Sequence, residues 1–202
     1  MRVGEAEQYH TANIVNTGSG IRILSVAIYR EDVTHAIPYN FDPLIVEALH
    51  RFNTMNLTIQ FHLVPRTHWQ SADILIYREE TLLPTKLGYA DLPLNGNPGS
   101  AIRLHLTNIM DWAVTNEAIV NIICHELGHT MGFHHTDYMD NSYSCGGNPV
   151  NEAAIYPEVG FIHIPGTPPG PEPNSWMLAC MPVPGIGRPF TANDLIALQF
   201  LY

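Results

Sequence analysis

Four stretches in the first 106 residues of the chain combine apolar and β-branched residues over short runs, as β-strands do. The longest is IRILSVAIYR at 21–30, whose nearly continuous apolar character predicts a strand buried on both faces. Further strands are predicted at 58–64, 72–77 and 102–106. Because a helical stretch separates the first two strands, this order indicates a mostly parallel sheet with a right-handed crossover.

Two stretches before residue 135 show the three-to-four-residue apolar spacing of helices. The first helix is predicted to begin at Pro43 with Asp42 as its cap, since proline is favoured at the first helical position. The second is predicted to begin at Thr115 or Asn116, and it is apolar enough to lie buried under the sheet. Residues 1–20 are polar and are expected to be irregular.

The character of the chain changes after its middle. Proline and glycine concentrate between about 137 and 190, in NPVN, IPGTPPGPEPN and MPVPGIGRP, which predicts an irregular but folded region. A last helix is expected from Thr191, since Thr191 and Asp194 have the spacing of a capping box. We expect one domain over residues 1–202, with an upper lobe at 1–135 and a lower lobe at 136–202.

The charge of the chain excludes some classes of partner. Its 19 acidic and 9 basic residues give a formal net charge of -10, with no basic run, so we expect no nucleic-acid partner. No stretch has the length of apolar sequence that a membrane span needs. The N-terminus does not resemble a signal peptide, but a signal could have been removed, so these residues leave the compartment open.

Three cysteines are too few for a scaffold built on disulfides. Cys124 lies within the apolar helical stretch and is expected to be a small buried residue. Cys145 and Cys180 lie in the irregular region and could form a disulfide if the protein is exported; the alternative is two unpaired thiols.

The residues 125–135 read HELGHTMGFHH and carry the chemistry of the chain. His125 and His129 are four residues apart on a helix, so their rings can share a zinc ion. Gly132 can end the helix in a left-handed conformation, which turns the chain and brings His135 back as a third ligand. Glu126 can then deprotonate a zinc-bound water without being a ligand itself.

His134 competes with His135 for the third position. The spacing HExxHxxGxxH selects His135, and an adjacent residue in extended chain points the other way. His134 is therefore expected either to support the ligands without binding metal or to be exposed.

The spacing of His125 to His135 resembles the zinc signature of the metzincin metallopeptidases. HELGHTMGFHHTDY, SYSCGG, IHIPGTP, PNSWMLAC and RPFTANDLIAL look most like the bacterial dual-action HEIGH metallopeptidases, a resemblance that extends from the middle of the chain to its end. It implies an α+β fold with a twisted, mostly parallel five-stranded sheet, an antiparallel edge strand and two long helices. It also implies an irregular lower lobe with the C-terminal helix, and an exported endopeptidase that is secreted, periplasmic or on the cell surface.

The resemblance also implies roles for two further segments. SWM at 175–177 matches the methionine-containing turn that metzincins place beneath the zinc, which makes Met177 the candidate. Metzincins pair the substrate backbone with the edge strand, and GYADL suggests Gly88, Tyr89, Ala90 and Asp91 for this role, with an ordinary loop as the alternative.

The sequence departs from some metzincins at Ala179, where those proteins have a tyrosine that binds zinc. Tyr138 or Tyr143 could approach the zinc instead, although surface or core packing explains both residues as well. Asp137 and Asp140 are expected to orient His135 or to tie the loop by hydrogen bonds. Calcium binding there is possible, but no EF-hand spacing supports it.

Together these features predict a zinc-dependent endopeptidase with one catalytic Zn²⁺, a polypeptide substrate and Glu126 as general base. A hydrolase of a non-peptide amide and a non-catalytic, zinc-stabilised binding module are the alternatives. A monomer is favoured, although the sequence does not fix the oligomeric state.

Overall fold

The computed structural model describes residues 8–81, 86–113, 115–168, 170–182 and 185–202. Up to residue 131 its strands and α-helices are β1 (Tyr9–His10), β2 (Arg22–Ile28), α1 (Asp42–Asn53), β3 (Ile59–Leu63), β4 (Ile74–Arg78), β5 (Gly88–Ala90), β6 (Ala101–Leu104), α2 (Leu106–Trp112) and α3 (Asn116–Met131). The C-terminal part contains β7 (Phe133–His134), α4 (Ser142–Cys145), α5 (Glu152–Ile155), β8 (Ile162–His163) and α6 (Ala192–Leu201). Two short 3₁₀ helices occupy Tyr39–Phe41 and Arg66–Ser71.

The main sheet has five strands in the order β3-β2-β4-β6-β5. Four strands run parallel, and β5 pairs with β6 antiparallel at the edge. This arrangement confirms the expected mostly parallel sheet with an antiparallel edge strand. The two expected long helices are α1 and α3, and the structure packs them against each other.

The predicted elements need three corrections at their ends. Asp42 does not cap α1, because the capping position is Phe41 and no side chain caps the helix. The strand at 21–30 is not buried on both faces throughout, since Ile23 is 64% exposed where β4 does not reach it. The strand expected at 102–106 ends at Leu104, and His105 instead caps the short helix α2, which sequence periodicity missed.

The helix α3 begins and ends as expected. The hydroxyl of Thr115 accepts from the backbone N–H of Ala118, and the helix ends at Gly132, whose φ of 111° lies in the left-handed region. Thirteen of its sixteen residues are buried, which agrees with the prediction of a helix under the sheet. The capping box of Thr191 and Asp194 at the start of α6 is also present.

A small second sheet was not predicted. Its order is β7-β1-β8, so the N-terminal segment, which was expected to be irregular, is the central strand. Tyr9 and His10 pair with Phe133–His134 on one side and with Ile162–His163 on the other. This pairing holds the chain directly after α3, where the third histidine of the motif lies. Two-residue strands carry too short a pattern for sequence periodicity to reveal them.

No helix in the described ranges combines the length and the apolar character that crossing a membrane would require.

Candidate metal centre and active-site cleft

The three histidines of the motif lie together. His125 and His129 project from one face of α3 with ring centroids 4.7 Å apart, and the centroid of the His135 ring lies 5.3 Å and 4.8 Å from theirs. Their ligand atoms all fall within 4.8 Å of one another, a set that could hold a metal ion. The Nε2 atoms of His129 and His135 are 3.2 Å apart.

The turn at Gly132 makes this convergence possible. Its N–H donates to the carbonyls of Gly128 and His129, and its own carbonyl accepts from the N–H of Thr11 at 2.7 Å. A Cβ atom at this position would lie 2.9 Å from the carbonyl oxygen of Asn13, and the left-handed φ would strain any other residue. Glycine therefore serves both the reversal of the chain and its contact with the N-terminal segment.

Every ring of the cluster is oriented through its Nδ1 atom. The acceptors are the Trp176 carbonyl for His125 at 2.9 Å, the Phe133 carbonyl for His129 at 2.9 Å and a carboxylate oxygen of Glu152 for His135 at 2.8 Å. Carbonyl and carboxylate oxygens only accept, so each Nδ1 carries a proton and each ring presents a lone pair at Nε2 when it is neutral. Three convergent Nε2 lone pairs are the ligand set that a catalytic zinc site requires.

Burial keeps two of these rings neutral. It lowers the pKa of His125 to about 3, with a contribution from His135, and it lowers the pKa of His129 well below its ordinary value. For His135 burial acts in the same direction, but the hydrogen bond and charge of Glu152 outweigh it and raise the pKa. Neutral imidazole is the form that binds metal, so the buried pair is prepared for it.

Glu152 is a site residue that the sequence did not reveal. It lies in the first turn of α5, and its side chain is only 13% exposed. Burial favours the neutral form, but the bonds from His135 and Asn141 outweigh it and lower the pKa to about 2. The Asn151–Glu152 pair indicates only the start of a helix, because the contact with His135 spans 17 residues and leaves no local pattern.

Glu126 lies beside the cluster and is 4% exposed. Its Oε2 atom is buried and has no hydrogen-bond partner among the described residues. Burial raises the pKa of Glu126 to about 8, against the opposing charges of His135 and Lys86. A buried acid without a partner that titrates near neutrality is the state expected of a general base.

The edge strand β5 borders this carboxylate. A Cβ atom on Gly88 would lie 2.5 Å from Glu126 Oε1 and 2.9 Å from its Cδ, so only glycine leaves room for the side chain. Of the other predicted edge residues, Tyr89 is 47% exposed, Ala90 is buried, and Asp91 binds Arg103 at 2.7 Å. The structure thus places Gly88, Tyr89 and Ala90 along the cleft, whereas Asp91 does not line it.

Met177 is completely buried beside α3. Its carbonyl accepts from the N–H of Thr136 at 3.0 Å, which links it to the residue after His135. A Cβ atom on Gly128 would lie 2.5 Å from the Trp176 ring and 2.8 Å from the Met177 sulfur. The glycine within HELGH therefore lets the 175–177 turn pack against the helix that carries the ligands.

His134 is not exposed, which removes one of its two predicted states. It is buried at 8% exposure, and its Nδ1 accepts from the backbone N–H of His135 at 2.7 Å. Tyr138 stacks on Phe161 at 4.2 Å, and the Tyr143 hydroxyl donates to a carbonyl of the proline-rich loop at 3.0 Å. Tyr138 therefore packs against an aromatic ring, and Tyr143 is a partly exposed residue bonded to that loop.

The two aspartates after the motif tie loops together. Asp137 is buried and accepts from the N–H of Ala179 at 2.9 Å and from the hydroxyl of Ser144 at 2.6 Å. Asp140 accepts from the N–H and hydroxyl of Ser142. These contacts agree with the loop-tying alternative, whereas the residue that orients His135 is Glu152.

Cys145 and Cys180 form a disulfide with an S–S distance of 2.09 Å, and Cys124 is free and buried. The disulfide lies along the wall of a cleft of about 420 Å³ that contains the three histidines and Glu126. The β5 strand forms another wall. Apolar side chains contribute to the lining, among them Leu87, Leu92, Trp112, Ile122, Leu178 and Met181.

Known proteins resemble this chain in fold and in sequence family. A hatching enzyme zinc-protease of the medaka fish Oryzias latipes, high choriolytic enzyme 1, superposes with a TM-score of 0.54 at 17% identity over 93% of each chain. A myroilysin structure superposes with a TM-score of 0.50 at 13% identity over 94% of this chain and 89% of that one. No curated protein sequence matches the chain significantly.

The two superpositions show the fold, and they agree with the metzincin-like α+β architecture expected from the sequence. The family itself is shown by a family model for dual-action HEIGH metallo-peptidases, which matches residues 1–202. Because this match covers the whole chain, the protein belongs to the dual-action HEIGH metallo-peptidase family and is a metallopeptidase, as its sequence predicted.

Proposed function

We propose that the protein is a zinc-dependent endopeptidase in which His125, His129 and His135 bind the metal and Glu126 is the general base. The observation that carries the proposal is the set of three Nδ1 hydrogen bonds, which directs three Nε2 atoms toward one another. Beside them lies the buried Oε2 atom of Glu126, which has no hydrogen-bond partner among the described residues. Family membership supports the metal and the peptidase activity, and the fold shared with a zinc-protease supports zinc.

The donor set fits a catalytic rather than a structural zinc site. Three imidazoles fill three of four positions, whereas structural sites are closed by a fourth protein ligand, usually cysteine. The cysteines of the chain are committed elsewhere, two in the disulfide and one buried in the core. Zinc bound there would acidify water and polarise a substrate carbonyl, which amide hydrolysis requires.

Glu126 supplies the proton transfers. Its carboxylate takes a proton from the attacking water and can return it to the leaving amine nitrogen, so no covalent intermediate is needed. Burial raises the pKa of this group to about 8 in the metal-free site. A cation held by the three histidines would lower that pKa and keep the group ionised at neutral pH.

The substrate backbone is proposed to add to β5 as a further strand. Asp91 donates its N–H to Ala101 and Leu87 accepts from His105, so the alternating ladder turns the backbone groups of Gly88 and Ala90 outward. These outward groups can pair with an extended peptide next to Glu126. Pairing on both sides of the cleaved bond favours internal peptide bonds, which supports an endopeptidase.

Three further assignments belong to the proposal. Met177 is the methionine of the turn below the metal, supported by its burial against the ligand helix at Gly128. The protein acts outside the cytosol, supported by the Cys145–Cys180 disulfide, since such bonds persist in oxidising compartments. It works as a monomer.

A digest of a peptide library read by mass spectrometry tests the function, since it detects internal cleavage and reports side-chain preference together. Glu126→Ala should retain one zinc per chain and lose nearly all cleavage. Glu158→Gln changes an exposed glutamate in the C-terminal half of the chain and should cleave like the wild type. A wild-type protein that holds no stoichiometric zinc, or a Glu126→Ala variant that still cleaves, would refute the mechanism. Zinc binding without cleavage would favour a binding module, and turnover of non-peptide amides alone would favour the other hydrolase.

A further inference from the structure

We infer that Glu152 is a positioning residue that orients His135 and partly neutralises the ligand set, and so sets the affinity of the site for zinc. The inference rests on the proposed function. It concerns the one ligand that α3 does not carry.

The third ligand needs more support than the other two. His125 and His129 are fixed by the backbone of a buried sixteen-residue helix, and backbone carbonyls accept from their Nδ1 atoms. His135 follows the turn at Gly132 and lies outside regular structure. Its ring is held by an ionisable side chain, with Nδ1 to Glu152 distances of 2.8 and 3.0 Å.

Glu152 is itself fixed from several directions. Asn141 donates its side-chain N–H to Oε1 at 2.9 Å, and the backbone N–H of Glu152 donates to the Tyr138 carbonyl at 2.8 Å. Asn151 caps the short helix α5 on which Glu152 lies. The carboxylate is therefore in place before any metal arrives, and little rotational freedom is lost when His135 binds.

The charge of Glu152 changes what His135 offers to a metal. A carboxylate that accepts from Nδ1 raises the electron density at Nε2 and makes the ring a stronger ligand. A buried negative charge close to the site also offsets part of the dication's charge, which the two carbonyl acceptors cannot do. Removal of such a partner typically weakens metal binding about 10- to 100-fold.

A second metal ion is the competing interpretation of the same residues. His134, His135 and Glu152 also place three ligand-type atoms within 4.8 Å of one another. However, the Nδ1 of His134 already accepts the N–H of His135, and the His135 Nδ1 proton already points at Glu152. These two hydrogen bonds already occupy the Nδ1 atoms of His134 and His135, and a second metal ion bound there would displace both bonds.

Zinc affinity measured by competition with a chromophoric chelator tests the inference, together with zinc content by elemental analysis. We expect one zinc per chain in the wild type, about 10- to 100-fold weaker binding in Glu152→Gln and a larger loss in Glu152→Ala. Glu158→Gln makes the same charge change at an exposed position of the same segment and should bind like the wild type. Circular dichroism of the metal-free proteins controls for folding.

The outcomes separate this inference from the proposed function. Equal zinc affinity in wild type and Glu152→Gln would overturn the role of the charge, since the glutamine amide oxygen can still accept from Nδ1, and equal affinity in Glu152→Ala would overturn the positioning role. Either result would leave the peptidase intact. Two zinc ions per wild-type chain, one of them lost in the variant, would overturn the inference in favour of a second metal. If the Glu152 variants do not fold, Asn141→Ser removes one support of the carboxylate, and an unchanged zinc affinity in that variant would equally overturn the inference. If the wild-type protein binds zinc tightly but does not cleave peptides, that result would instead refute the proposed function.

Discussion

Replacement of the general base by its neutral isostere should make the metal-free protein more stable, and increasingly so as the pH rises. Glu126 is 4% exposed, and burial raises its pKa to about 8 from an ordinary value of 4.5. When folding raises the pKa of a carboxyl group, the stability that the group contributes is fully present only below its pKa in the unfolded chain. That stability is lost as the pH rises through its pKa in the folded protein. Glu126→Gln removes the titration and keeps the shape of the side chain.

The magnitude follows from the two pKa values. At pH 5 the unfolded carboxyl is mostly ionised and the folded one is not, which costs the wild type about 1 kcal/mol. At pH 7 the same calculation gives about 3 kcal/mol. The buried glutamine amide adds a cost of its own, but that cost does not depend on pH. The difference in the free energy of unfolding should therefore change by roughly 2 kcal/mol between pH 5 and pH 7 in favour of the variant.

Urea unfolding of both proteins at several pH values, with chelator present, measures this difference. Titration of groups distant from residue 126 affects the two proteins alike, so the difference reports Glu126 together with its charge interaction with His135. A difference that stays flat from pH 5 to pH 7 would show that the carboxyl is not raised, and the account of Glu126 as a poised base would be wrong. With zinc restored, the variant should bind metal and not cleave peptide.

Two further substitutions test how the cleft is built. Gly88→Ala places a Cβ atom 2.5 Å from Glu126 Oε1 and must displace the carboxylate, so kcat/KM for a peptide substrate should fall about 100-fold with zinc content unchanged; an unchanged kcat/KM would contradict the contact. Joint replacement of Cys145 and Cys180 by serine opens a loop with a sequence separation of 35 and should lower the free energy of unfolding in urea by about 4 kcal/mol. A loss below about 1 kcal/mol would show that the disulfide constrains the unfolded chain little.

The sequence predicts the parts of the site that depend on neighbours along the chain. His125, Glu126 and His129 take their relative positions from a single helix, and Gly132 ends that helix where a left-handed residue was expected. The parallel sheet also follows from the order of strands and helices along the chain, because short connections leave few possible sheet topologies. These features need only the local periodicity that the residues themselves display.

The sequence does not predict the contacts that hold the site in place. Glu152 reaches His135 from a short helix in a region that reads as loop, and Gly88 reaches Glu126 from a strand of only three residues. The strand β1 pairs with two segments more than 120 residues away. Each contact depends on how distant segments pack, and none of them leaves a period or a motif in the chain.

The three acceptors of the histidine rings show how metal binding depends on the whole fold. Phe133 belongs to the chain next to α3, but Trp176 lies 51 residues beyond His125, and Glu152 lies 17 residues beyond His135. A chain in which residues 136–202 were unfolded would therefore keep two histidines on a helix and lose two of the three groups that orient the rings. Zinc therefore binds the folded chain more tightly than the chain in which residues 136–202 are unfolded. By linkage, zinc stabilises the fold of residues 136–202 by the difference between these two binding free energies. The C-terminal part of the chain thus determines how tightly the motif in its middle holds a metal.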